Sequence, residues 1–183
     1  MLSVLLGGAR SGKSSLAVAM AGRSGLAVTF IATAEGRDAE MACRIEAHRA
    51  ERPGPWSTIE EPVELETALS QVPETEAVIV DCLTLWVANL FGRHFDDADI
   101  FERAGRVAAL SAGRTGPVIV VSNEVGSGIV PADALSRRYR DSLGRVNTAF
   151  VARADQAFLV VAGRALALSA IGAPGVGQGC AIR

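Results

Sequence analysis

Five short apolar runs, set apart by longer segments, constrain this chain most. They are "LSVLLGG" (2–8), "AVTFIAT" (27–33), "AVIVDCL" (77–83), "PVIVVSN" (117–123) and "QAFLVVAG" (156–163). Each is nearly continuous in Val, Ile, Leu and Ala rather than alternating with polar residues. That is the pattern of strands covered on both faces. Helical patterns fill the gaps at 13–23, 37–51, 63–72, 84–93, 97–112 and 132–153. Strand alternating with helix predicts an α/β fold, a mainly parallel sheet flanked by helices with right-handed crossovers. At 183 residues the length suits one domain. We expect it over 1–168, with a loose tail over 169–183, where "SAIGAPGVGQGCAIR" is rich in Gly and Ala and weakly patterned.

Composition narrows the function classes. The net charge of −2 argues against a general affinity for nucleic acid or anionic membrane, and 5% aromatic residues argue against a base-stacking platform. No run approaches the roughly 20 apolar residues of a transmembrane helix. The N-terminus has neither the basic region nor the long apolar core of a secretory signal. Cys43, Cys82 and Cys180 lie far apart without metal-ligand spacing. A reduced, cytoplasmic protein is expected.

"GGARSGKS" (7–14) carries the first chemistry. Gly7, four residues, then Gly12, Lys13 and Ser14 satisfy the P-loop pattern, placed after a strand and opening a helix. Glycines let successive backbone N–H groups turn toward phosphate oxygens, and the helix start adds positive potential. Lys13 would reach the β- and γ-phosphates and Ser14 would ligate Mg²⁺. Asp81 ends the strand "VIVD", where it either serves the metal or nucleotide or caps the next helix. The loop names a nucleoside triphosphate and no more.

A second constellation lies at 36–62, "GRDAEMACRIEAHRAERPGPWSTIEEP". Helical spacing puts Met41, Ile45 and His48 on one face, with Arg44 and Arg52 one turn either side of His48 and Arg49 next to it. A lone histidine there would belong to the core edge. The arginines favour the neutral imidazole, which has a nucleophilic nitrogen, and would neutralise a phosphate that it attacked. Pro53 and Pro55 stop the helix, after which "WSTIEE" runs extended. Glu60 or Glu61 either accepts hydrogen bonds from a guanine edge or is one of a solvated acidic pair. His94 follows an apolar helix, where a capping or surface role suffices.

Taken together, "GGARSGKS", the 36–62 block, "DCLTLWVANL", "SNEVGSGIVP" and "RRYRDSLGRVNTAFVARAD" resemble the bifunctional adenosylcobinamide kinase / adenosylcobinamide-phosphate guanylyltransferase family of cobalamin biosynthesis. The resemblance runs over residues 2–163. It implies a recombinase-type P-loop NTPase core, homotrimers and two reactions. ATP or GTP first phosphorylates the aminopropanol hydroxyl of adenosylcobinamide. GTP then yields GMP through a guanylylated histidine, giving adenosylcobinamide-GDP and pyrophosphate. Residue by residue, it implies that Gly7, Gly8, Ala9, Arg10, Ser11, Gly12, Lys13 and Ser14 hold the triphosphate. Thr33, Ala34 and Glu35 would meet the nucleotide, and His48 would accept GMP. Arg49, Ala50, Glu51 and Arg52 would lie beside the phosphates, with Glu60 and Asp81 at nucleotide-contacting positions. Thr148 departs from the Gln of many relatives, and the end "GRALALSAIGAPG" lacks their basic finish, so the corrinoid contacts are the least constrained.

Three readings compete on the residues alone. They are a two-step kinase and nucleotidyltransferase, a single-function P-loop small-molecule kinase, and a nucleotide-dependent switch. The last needs a guanine-reading N-K-x-D motif, which is absent. Asn123 and Glu124 either bind substrate or metal or form a plain Gly-rich connection. Arg137, Arg138, Arg140 and Arg145 suit a solvated helix better than a phosphate site.

Overall fold

A computed structural model describes residues 1–36, 43, 46, 49 and 54–170. Its strands are β1 (Leu2–Leu6), β2 (Val28–Ala32), β3 (Ser57–Glu60), β4 (Ala77–Asp81), β5 (Val118–Val121), β6 (Gln156–Val161) and β7 (Arg164–Ala167). Its helices are α1 (Lys13–Gly22), α2 (Leu65–Gln71), α3 (Leu83–Gly92), α4 (Asp97–Gly113) and α5 (Ala134–Val151). They build one seven-stranded sheet in the order β3-β2-β4-β5-β1-β6-β7. Every pairing is parallel except β6 with β7. The expected α/β architecture is therefore present. The apolar runs overshoot their strands where the backbone turns into loops, as at Gly7 and Gly8.

Two strands carry no apolar signal because they are edges. Exposed "STIE" forms β3, within the segment read as extended, and "RALA" forms β7, which was not foreseen. An edge strand with both faces near water has no need of a continuous apolar run.

The parallel strands explain the two cores. One face packs Leu2, Val4, Ile31, Val78, Val80, Val118 and Val120 under α2, α3, α4 and α5. The other packs Leu5, Phe30, Ile79, Ile119 and Val121 under α1, with Trp56 at its margin. Asp96 and Asp133 cap α4 and α5, accepting the N–H of Asp99 and Ser136 at 2.8 Å each. Arg138 pairs with Asp97 and stacks over Phe91, and Arg145 stacks over Phe101. Those α5 arginines brace α3 and α4 rather than simply facing solvent. Thr148 bonds back to the carbonyl of Gly144 at 2.9 Å on the same helix. Among the described residues, no helix is long and apolar enough to cross a membrane.

Candidate active site

From β1 the chain crosses through α1 to β2 on one side of the sheet, whereas the connection from β5 through α5 passes β1 to reach β6 on its other side. Ligands of open α/β sheets bind at the carboxyl ends of strands beside such a switch. The loop 7–12 lies there. A Cβ on Gly7 would stand 2.2 Å from the carbonyl oxygen of Val160 on β6, so only glycine fits. Arg10 and Gly12 have φ of 55° and 99°, both left-handed. Gly12 caps α1 without any side-chain bond, which leaves the first amides of α1 for an anion. The β6–β7 turn supports the loop from outside, where Gly163 N–H donates to the Ser11 carbonyl at 2.8 Å.

Lys13 is buried, and its Nζ donates to the carbonyls of Gly7 (2.9 Å) and Gly8 (2.7 Å). The ammonium thus waits across the mouth of the loop. Burial lowers its pKa, opposed by the nearby Cys82 and Asp81. Asp81 ends β4, two strands from β1, and is partly exposed. The Asp81–Cys82 peptide is cis. Burial, helped by Asp81, raises the Cys82 thiol to about 11, so it is protonated at neutral pH.

Between Asp81 and the loop, the parallel ladder continues past β5. Ser122 N–H donates to the Leu5 carbonyl (2.9 Å) and Glu124 N–H to the Gly7 carbonyl (3.1 Å). Asn123 N–H is taken by Thr84 Oγ1 at 2.8 Å. Asn147 on α5 accepts from Ser122 Oγ (2.6 Å) and donates to the Asn123 carbonyl (3.0 Å). Glu124 turns its carboxylate onto the Gly126 N–H.

At the β2 and β3 ends, Thr33 Oγ1 donates to the Cys82 carbonyl (2.7 Å) and accepts its N–H (2.8 Å). Glu35 pairs with Arg93. Glu60 pairs with Arg49, which also bonds Glu46 at 2.8 Å. Glu61 Oε1 accepts the N–H groups of Val63 and Glu64 at 2.9 Å each. Of the acidic pair, then, Glu61 holds the start of α2 and Glu60 stands exposed beside an arginine. Ala34 is half-buried in the turn that leaves β2. His48, Ala50, Glu51, Arg44 and Arg52 lie outside the described residues. His94 sits just past α3 with φ 62°, the helix-end position expected of it. The sequence reading passed over Asn89, Arg93 and Asn147. A polar residue inside an apolar helix, as in "LWVANLF", was the available signal for the first.

A sequence model described as "cobinamide kinase / cobinamide phosphate guanyltransferase" matches residues 3–168. The chain belongs to this family. It is 45% identical over 165 residues to the bifunctional adenosylcobalamin biosynthesis protein CobP of Pseudomonas aeruginosa, covering 89% of this chain and 94% of that one. It is 39% identical over 176 residues to the bifunctional adenosylcobalamin biosynthesis protein CobU of Escherichia coli, covering 89% and 97%. The crystal structure of the RadB recombinase superposes with a TM-score of 0.50 at 17% identity, over 86% of this chain and 73% of that one. That likeness speaks for the fold alone, a recombinase-like P-loop core. The family assignment carries two activities, kinase and guanylyltransferase, and does not favour a single-function kinase.

Proposed function

We propose that the chain phosphorylates adenosylcobinamide with ATP or GTP and then converts the phosphate to adenosylcobinamide-GDP through a guanylylated His48. The observation that supports it most is the Lys13 loop facing Asp81 at one sheet edge, in a chain matched by the family from residue 3 to 168.

In the first step the substrate hydroxyl oxygen bonds the γ-phosphorus, the bond to the β-bridging oxygen breaks so that the nucleoside diphosphate leaves, and the hydroxyl proton passes to water. Lys13 and the amides of 7–14 neutralise the charge that moves onto the bridging oxygen. Ser14 and Asp81 offer a hydroxyl and a carboxylate, oxygen donors that suit Mg²⁺ shared with phosphates. When bound, Mg²⁺ supplies charge neutralisation of the phosphates. In the second step a His48 nitrogen bonds the α-phosphorus of GTP and pyrophosphate leaves. A phosphate oxygen of adenosylcobinamide phosphate then bonds the same phosphorus and the P–N bond breaks. Thr33, Ala34, Glu35 and Glu60 would meet the nucleotide, and Arg49, Ala50, Glu51 and Arg52 would lie beside the phosphates. A homotrimer, which rests on the family resemblance, and a cytoplasmic setting, which rests on composition and the scattered cysteines, belong to the same proposal.

Incubation with GTP labelled at the α-phosphate, without corrinoid, tests the covalent step. Label that stays on denatured protein, is released by acid and survives mild alkali is the expected result. Hydrolysis of GTP with no bound label would contradict it.

A further inference from the structure

Asn89 interrupts the apolar stretch "LWVANLF" on α3 and is almost fully buried. Its Nδ2 donates to two backbone carbonyls from different strands' exits, Thr33 at 2.8 Å and Pro62 at 3.2 Å. Both carbonyls lie just beyond the carboxyl ends of β2 and β3. One turn further along α3, Arg93 pairs with Glu35 in the first of these exits and reaches back to the Asn89 carbonyl at 3.4 Å. Trp86, one turn earlier, donates Nε1 to the carbonyl of Val63 at 2.7 Å. One face of α3 therefore clamps two loops that the sheet itself joins through the Glu61 N–H to Ala32 carbonyl bond, 2.9 Å.

We propose that Asn89 and Arg93 are positioning residues for guanylyl transfer, acting through the loops 33–35 and 60–62. This rests on the reading of His48 as the GMP acceptor. The exit of β2 opens the connection that carries His48 in sequence, and the exit of β3 carries Glu60. The arrangement is more than packing. A leucine would fill the Asn89 site, whereas only a side chain with two N–H donors joins both carbonyls. The Arg93–Glu35 pair is partly exposed, with side chains 39% and 24% accessible, so it contributes modestly to stability and its use lies in where it holds Glu35. The kinase groups Lys13 and Ser14 are carried by α1, and Asp81 by β4, whose end meets the clamped loop through the Thr33 N–H to Asp81 carbonyl bond at 3.1 Å. Loosening the clamp should misplace the GTP-facing loops while leaving the P-loop frame intact, and displacements of about 1 Å can cost on the order of a hundredfold in rate.

The test compares Asn89→Leu, Arg93→Met and Arg93→Lys with wild type in two assays. These are formation of GMP-labelled protein from α-labelled GTP, and phosphorylation of cobinamide. Asn89→Leu should slow labelling at least about tenfold and phosphorylation less than about twofold. Arg93→Met should slow labelling by about threefold, and Arg93→Lys, which keeps the cation, should restore it. Wild-type labelling in both Asn89→Leu and Arg93→Met, or equal losses in the two assays, would overturn the proposal. Should Asn89→Leu fail to show a cooperative melt, the Met and Lys forms of Arg93 decide alone. Labelling of His48→Ala at the wild-type rate would instead sink the histidine reading, and so is seen separately.

Discussion

The two halves of the sheet's carboxyl edge are built differently. At β1 the loop is self-contained. Lys13 bonds the carbonyls of Gly7 and Gly8 a few residues away, and glycine conformations set the turn. At β2 and β3 the loops are held from outside, by Asn89, Arg93 and Trp86 on α3, 23 to 58 residues distant in sequence. The first kind of site is local and announces itself as a motif. The second exists only once α3 has packed, so its parts look ordinary until the chain is folded.

The largest break in that comparison should come from Lys13→Ala. The proposed function has both reactions place charge on phosphates at the loop, so both should fall by about a thousandfold in assays of cobinamide phosphorylation and GDP-cobinamide formation. Loss of only one would mean that the loop serves only one. Gly7→Ala should come next. Its new methyl group would stand 2.2 Å from the Val160 carbonyl oxygen, so β6 or the loop must move. A cost of about 1–3 kcal/mol is expected, read as a lower Tm together with loss of both activities. An unchanged melt would show that the loop yields freely.

Asp81→Asn should raise the Mg²⁺ concentration for half-maximal phosphorylation by about tenfold. An unchanged Mg²⁺ curve would leave Asp81 as a support for Lys13. The smallest effect concerns Cys82, which lies between the two halves. A thiol with its pKa raised to about 11 is thiolate in about one molecule in a thousand at pH 8. Peptide mapping after iodoacetamide at that pH should find exposed Cys43 alkylated well before Cys82. Because the folded state keeps this proton longer than the unfolded chain, stability should fall as pH rises from about 9 to about 11.

The central strands and the loop were legible because their signals are local. Continuous Val and Ile runs need burial on both faces, and the spacing from Gly7 to Ser14 has few other uses. Of the edge strands, β3 shows only as the extended run after Pro53 and Pro55, and β7 is hidden by its exposure, since "RALA" buries too little to show a pattern. Glu61 could not be told from Glu60 by type. One caps the start of α2 and the other faces Arg49, and only the path of the chain after β3 separates them. Arg114 makes the same point in the core. No motif singles it out in the sequence, yet it is 4% exposed and donates to the carbonyls of Leu69, Val72 and Pro73, locking α2 to the start of β5.

The account rests on one division of labour, in which the loop at β1 serves both reactions and His48 serves only the second. Assaying His48→Ala in the two half-reactions tests that division most directly. The variant should convert cobinamide to cobinamide phosphate and stop there, with the phosphate accumulating and no GDP-cobinamide appearing even with excess GTP. GDP-cobinamide formed at the wild-type rate by His48→Ala would contradict it.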